Sequence, residues 1–107
     1  MNKPGFYHGQ HYSTYVEEVR ELKRGEQWGQ AEQLLLKLIE ATEAEARVLP
    51  MGIVAPWYYE NLAITYHKQK NALAELAILD RYFRQPHAPN PKLQERLEKA
   101  RLSKQVR

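Results

Sequence analysis

Residues 56–83 read PWYYENLAITYHKQKNALAELAILDRYF, and this stretch constrains the fold more than any other part of the chain. Trp57, Tyr58, Tyr59, Leu62, Ala63 and Tyr66 recur at helical spacing, and a second amphipathic run follows a break at Lys70-Asn71. Large and small apolar residues interleave along both runs. Helices patterned in this way pack face to face as an antiparallel hairpin, because small side chains on one admit large ones from the other.

The rest of the chain continues the helical pattern. A first helix is predicted to start near Ser13 or Thr14, where Thr14 and Glu17 have the spacing of a capping box. Tyr12, Tyr15, Val16, Val19 and Leu22 form its apolar stripe, and Gly25 turns the chain after Arg24. A second helix is expected from about Gln27 to Arg47, burying Trp28, Ala31, Leu34, Leu35, Leu38, Ile39 and Thr42 while Glu40, Glu43 and Glu45 stay in water. Pro50 and Gly52 end it, and Pro56 suits the first turn of a third helix over 56–69. Asn71 is a candidate N-cap for a fourth helix over 72–84, with Leu73, Leu76, Ile78, Leu79 and Phe83 inward. The prolines of QPHAPNP stop that helix. Asn90-Pro91 then starts a fifth over about 91–103, with Leu93, Leu97, Ala100 and Leu102 inward. Residues 1–11 read as irregular, since Pro4, Gly5 and Gly9 interrupt any period. No segment alternates with period two, so the expected fold is a single all-α domain of about five helices over 1–107.

Composition narrows the function classes. The chain has 107 residues, enough for one modest core. Without cysteine it has no disulfide, thiolate nucleophile or cysteine-based zinc site, which fits a cytoplasmic address. No apolar run is long enough to cross a bilayer, and the first residues lack the apolar core of a secretory signal, so no membrane role is expected. The net charge of +3 is unevenly placed. Lys92, Arg96, Lys99, Arg101, Lys104 and Arg107 outnumber Glu95 and Glu98 at the C-terminal end, leaving the remainder near neutral.

A weak internal repeat carries a family resemblance. Tyr15, Val19 and Leu22 precede a turn and then Trp28 and Ala31; Tyr59, Ala63 and Tyr66 precede a turn and then Leu73 and Leu76. Over roughly residues 12–84 this pattern resembles the tetratricopeptide-like family of small bacterial two-hairpin proteins. The two units lie some 44 residues apart, against a usual repeat of about 34, so the second helix and its linker are extended. The resemblance implies two helical hairpins closed by a C-terminal capping helix. It also implies peptide binding along the face made by the first helix of each pair. Carried over by position, that face holds Ser13, Val16, Arg20, Lys23 and Arg24, then Trp57, Glu60, Asn61, Ile64, His67 and Lys68. Its cations would favour an acidic segment or a terminal carboxylate through charge-assisted hydrogen bonds. The plainer reading of the same cations is solvated charge near helix C-termini, where the dipole favours it.

The remaining motifs discriminate less. Trp57, Tyr58 and Tyr59 point in three directions around one turn, so at least one ring is expected at the surface or under another segment. An exposed ring there is a binding anchor or part of a self-association surface. His8, His11, His67 and His87 lack the spacing of a metal site, and neither metal nor cofactor is expected. There is no glycine-rich phosphate loop, nucleophile elbow or HExxH helix, which argues against an enzyme. The expected function is a non-catalytic protein–protein interaction module that engages an acidic segment or a second copy of itself. The alternative is a nucleic-acid-associated accessory protein using Lys92, Arg96, Lys99 and Lys104 on the last helix. That stripe is interrupted by glutamates and has no interleaved aromatic for base stacking.

Overall fold

A computed structural model describes residues 3–105, and the side chains up to Ser103. Among the described residues there are five α-helices: α1 (Val16–Arg24), α2 (Trp28–Val48), α3 (Pro56–Lys68), α4 (Ala72–Phe83) and α5 (Pro91–Gln105). Each helix packs on its neighbours in the chain, giving a flattened all-α body of 45 × 33 × 20 Å. No helix among the described residues is long and apolar enough to cross a membrane. Val19, Leu35, Leu38, Ile39, Leu62, Ala63 and Leu79 are fully buried and form the centre of one continuous core.

The two hairpin turns are closed identically, 44 residues apart. In the first, the Gln27 amide donates to Leu22 O at 2.8 Å and the Glu26 amide to Lys23 O at 3.0 Å. In the second, Asn71 donates to Tyr66 O at 2.9 Å and Lys70 to His67 O at 3.0 Å. This paired arrangement satisfies the orphan carbonyls of the preceding helix and requires a left-handed residue at its apex. Glu26 (φ 55°) and Lys70 (φ 57°) take that conformation. Gly25, expected to make the turn, sits at φ −84° and only ends the helix.

Several sequence expectations are corrected. The N-terminal segment is not irregular throughout: β1 (Phe6–Tyr7) and β2 (Gln10–His11) pair antiparallel across a turn with Gly9 at φ 80°. A 3-10 turn over Tyr12–Tyr15 follows, so α1 begins at Val16 and Thr14 is no capping-box residue. Its hydroxyl donates backwards to His11 O at 2.8 Å, and the His11 ring accepts from the Ser13 amide instead. In α4 the buried stripe is Glu75, Ile78, Leu79 and Tyr82, which leaves Leu73 64% exposed on the opposite side. Leu102, also expected inward, lies beyond the last core contact of α5 and is exposed.

Glu43 and Glu45 are not in water either. Glu43 is buried where α2 meets α3 and α4, accepting from the Tyr59 hydroxyl at 2.7 Å and from two Arg81 nitrogens at 2.8 Å. Glu45 takes the His11 ring nitrogen at 2.8 Å and so ties the N-terminal ribbon to α2. The α2–α3 linker is equally fixed. A Cβ on Gly52 would lie 2.3 Å from Ala46 O, the Ala55 amide donates to the Thr42 hydroxyl, and the Val54 amide donates to Pro86 O. At the other end Asn90 caps α5 through the Leu93 amide at 3.0 Å, as the Asn-Pro pair predicts.

Candidate functional site

α1 and α3 bring part of the sequence-predicted face together, and α5 supplies its far edge. The Lys23 ammonium donates to the Asn61 side-chain oxygen, while the Asn61 amide nitrogen donates to Trp57 O at 2.9 Å. Asn61 is buried and held at both ends, so it offers a fixed oxygen that aims Lys23 across the helices. Burial pushes the Lys23 pKa down, Glu60 opposes that shift, and Arg20 adds to it. The Arg20 guanidinium lies 6.0 Å from the Trp57 ring centroid and donates to Glu17 at 3.1 Å. Glu60, on the same side of α3, pairs with Lys92 of α5 at 2.7 Å. The result is a row of Arg20, Lys23 and Lys92 with Glu60 between the last two.

The three adjacent aromatic rings divide as their directions require. Tyr59 is fully buried against Tyr82, and burial together with the Glu43 carboxylate pushes its phenol well above the ordinary range. Tyr58 is buried under Tyr12, with ring centroids 5.2 Å apart, and desolvation pushes its phenol up to about 12. Trp57 is left partly exposed, edge-on to Tyr58 at 5.0 Å and beneath Arg20. The N-terminal segment therefore covers one ring while another remains at the surface.

Other predicted residues fall outside this row. Ile64 is partly buried in the middle of α3. Arg24 and Lys68 are exposed at the ends of α1 and α3, without an ion pair among the described residues. His67 turns towards α4 and shares a hydrogen bond with Glu75 at 3.2 Å. The cations of the alternative set are not a free stripe: Lys92 pairs with Glu60, Arg96 lies 3.6 Å from Glu75, and Lys99 lies 3.4 Å from Glu95. The Lys104 side chain lies outside the described residues, as does Arg107. Among the described residues no group of three histidines or carboxylates is placed to hold a metal ion.

Sequence reasoning missed the contribution of Lys92 to this face and the buried role of Glu75. The i, i+3, i+4, i+7 spacing of Glu75, Ile78, Leu79 and Tyr82 was the available signal, hidden because a charged residue occupies its first position. Comparison with protein-family models, curated proteins and solved structures finds no match.

Proposed function

We propose that the chain is a non-catalytic interaction module of tetratricopeptide-like type, whose α1–α3 face takes an acidic segment of another protein. The observation that carries this reading is the Lys23–Asn61–Trp57 arrangement. A partly desolvated ammonium is held by a fixed amide beside a partly exposed aromatic ring and a second cation, Arg20. Such a site combines charge-assisted hydrogen bonding with an apolar anchor, the two elements that dominate binding at small interfaces. The repeated turn geometry, 44 residues apart, supports the repeat assignment. The nucleic-acid alternative has less support, because Lys92, Arg96 and Lys99 each stand beside a carboxylate.

Fluorescence anisotropy with a labelled glutamate-rich peptide tests the reading. Reversing Arg20, Lys23 and Arg24 to glutamate should abolish binding, whereas unchanged affinity in that variant would exclude this face. One observation favours self-association as a second reading. Val48 at the end of α2 and Leu49, Met51 and Ile53 on the pinned α2–α3 linker are all more than half exposed, Met51 at 97%. A concentration-dependent mass in light scattering would favour that reading.

A further inference from the structure

A cleft of about 670 Å³ lies between the start of α4 and α5, separate from the Lys23–Asn61 row. Its walls carry Lys70 from the α3–α4 turn, Ala72 and Glu75 from α4, Arg96 and Lys99 from α5, and His67 from the end of α3. We propose that this cleft is a binding site for a phosphate group.

Charge and hydrogen bonding both point there. Lys70, Arg96 and Lys99 face Glu75 in the cleft, with Glu95 beside Lys99, so three cations stand against two carboxylates there. A phosphate carries enough free oxygens to accept from all three cations at once, whereas a carboxylate has only two. The Arg96 Nε is buried without a hydrogen-bond acceptor, and its 3.6 Å separation from Glu75 is too long to supply one. The buried Nε itself is closed to the cleft, but the side chain is 31% exposed, so an oxyanion there would accept from the terminal nitrogens of the guanidinium while Nε stays against Glu75. Lys99 is available, because its pair with Glu95 is about three-quarters exposed on both sides and contributes little. Ala72 opens α4, so the positive end of that helix adds to the field of the side chains.

Amide chemical-shift mapping of the full chain by NMR tests the proposal. Inorganic phosphate is titrated at fixed ionic strength, with acetate as monoanionic control and N-acetyl-phosphoserine amide as second probe. Saturable shifts at Ala72 and its neighbours are expected with both phosphates and not with acetate. The Lys70→Gln, Lys99→Gln double variant changes only exposed side chains and should weaken phosphate binding about tenfold or more, given the strength of charged hydrogen bonds. Tighter binding of the phosphoserine probe would identify a phosphorylated segment as the source. Equal or tighter binding of inorganic phosphate would identify a free phosphate. Non-saturating shifts, an equal response to acetate, or full affinity in the double variant would overturn the proposal. Lys23→Gln should leave phosphate binding intact, so failure of the α1–α3 face and failure of the cleft are distinguishable.

Discussion

At the residue scale, two kinds of side chain hold this fold in ways that hydropathy does not reveal. Glu43 is the first. Burial alone would raise its pKa, but the Arg81 guanidinium and the Tyr59 hydroxyl outweigh burial and hold it below its ordinary value of 4.5. Its stabilising contribution is therefore fully present above pH 4.5 and is lost as pH falls below that value through the folded pKa. Glu43→Gln should cost about 2 kcal/mol near neutral pH, less than a fully buried pair because Arg81 is partly solvated. The same variant should flatten the acid limb of a urea-denaturation series. The second kind is the left-handed pair, Glu26 and Lys70. Glycine adopts this conformation without the side-chain clash, so Glu26→Gly and Lys70→Gly should each stabilise the chain by about 0.5–1 kcal/mol. A rise in denaturation midpoint at unchanged slope would verify this.

At the scale of elements, the helices were legible and their surroundings were not. Pro56, Asn71 and Asn90-Pro91 are local signals that act on the next turn of backbone, and α3, α4 and α5 start where those residues place them. The N-terminal ribbon has no comparable local signature. It forms because His11 reaches Glu45, Tyr12 lies over Tyr58, and the Tyr15 hydroxyl donates to Tyr7 O at 2.6 Å. Those contacts span up to 46 residues of sequence, so no window of neighbouring residues could predict them. Leu73 fails for a related reason: α4 rotates to pair Glu75 with His67 and Arg96, and hydrophobicity alone cannot anticipate a buried carboxylate with two partners. Of the candidate site, Arg20, Lys23, Trp57 and Asn61 lie together on the face that the family resemblance implied, while Lys92 required knowledge of how α5 packs. The ribbon should contribute measurably to stability. Tyr12→Ala removes an edge-to-face ring from Tyr58 and should cost about 1–2 kcal/mol in thermal or urea unfolding.

At the scale of the whole molecule, cations from different parts of the chain collect at two places. Arg20, Lys23 and Lys92 line the face shared by α1, α3 and α5, and Lys70, Arg96 and Lys99 surround the cleft between α4 and α5. Among the described cations of the basic C-terminal segment, Lys92 joins the first surface, Arg96 and Lys99 the second, and Arg101 pairs with Asp80. Two short hairpins closed by a polar helix form a rigid support for such surfaces, since each helix is braced by its neighbours. If the first surface takes an acidic segment, amide and indole chemical-shift mapping with an unlabelled glutamate-rich peptide at physiological salt will register it. Saturable shifts at Lys23, the Asn61 side-chain amide and the Trp57 indole are predicted, and they should be lost when Arg20, Lys23 and Arg24 are reversed to glutamate. Shifts confined to residues 48–53, or none at that salt concentration, would exclude binding at the α1–α3 face.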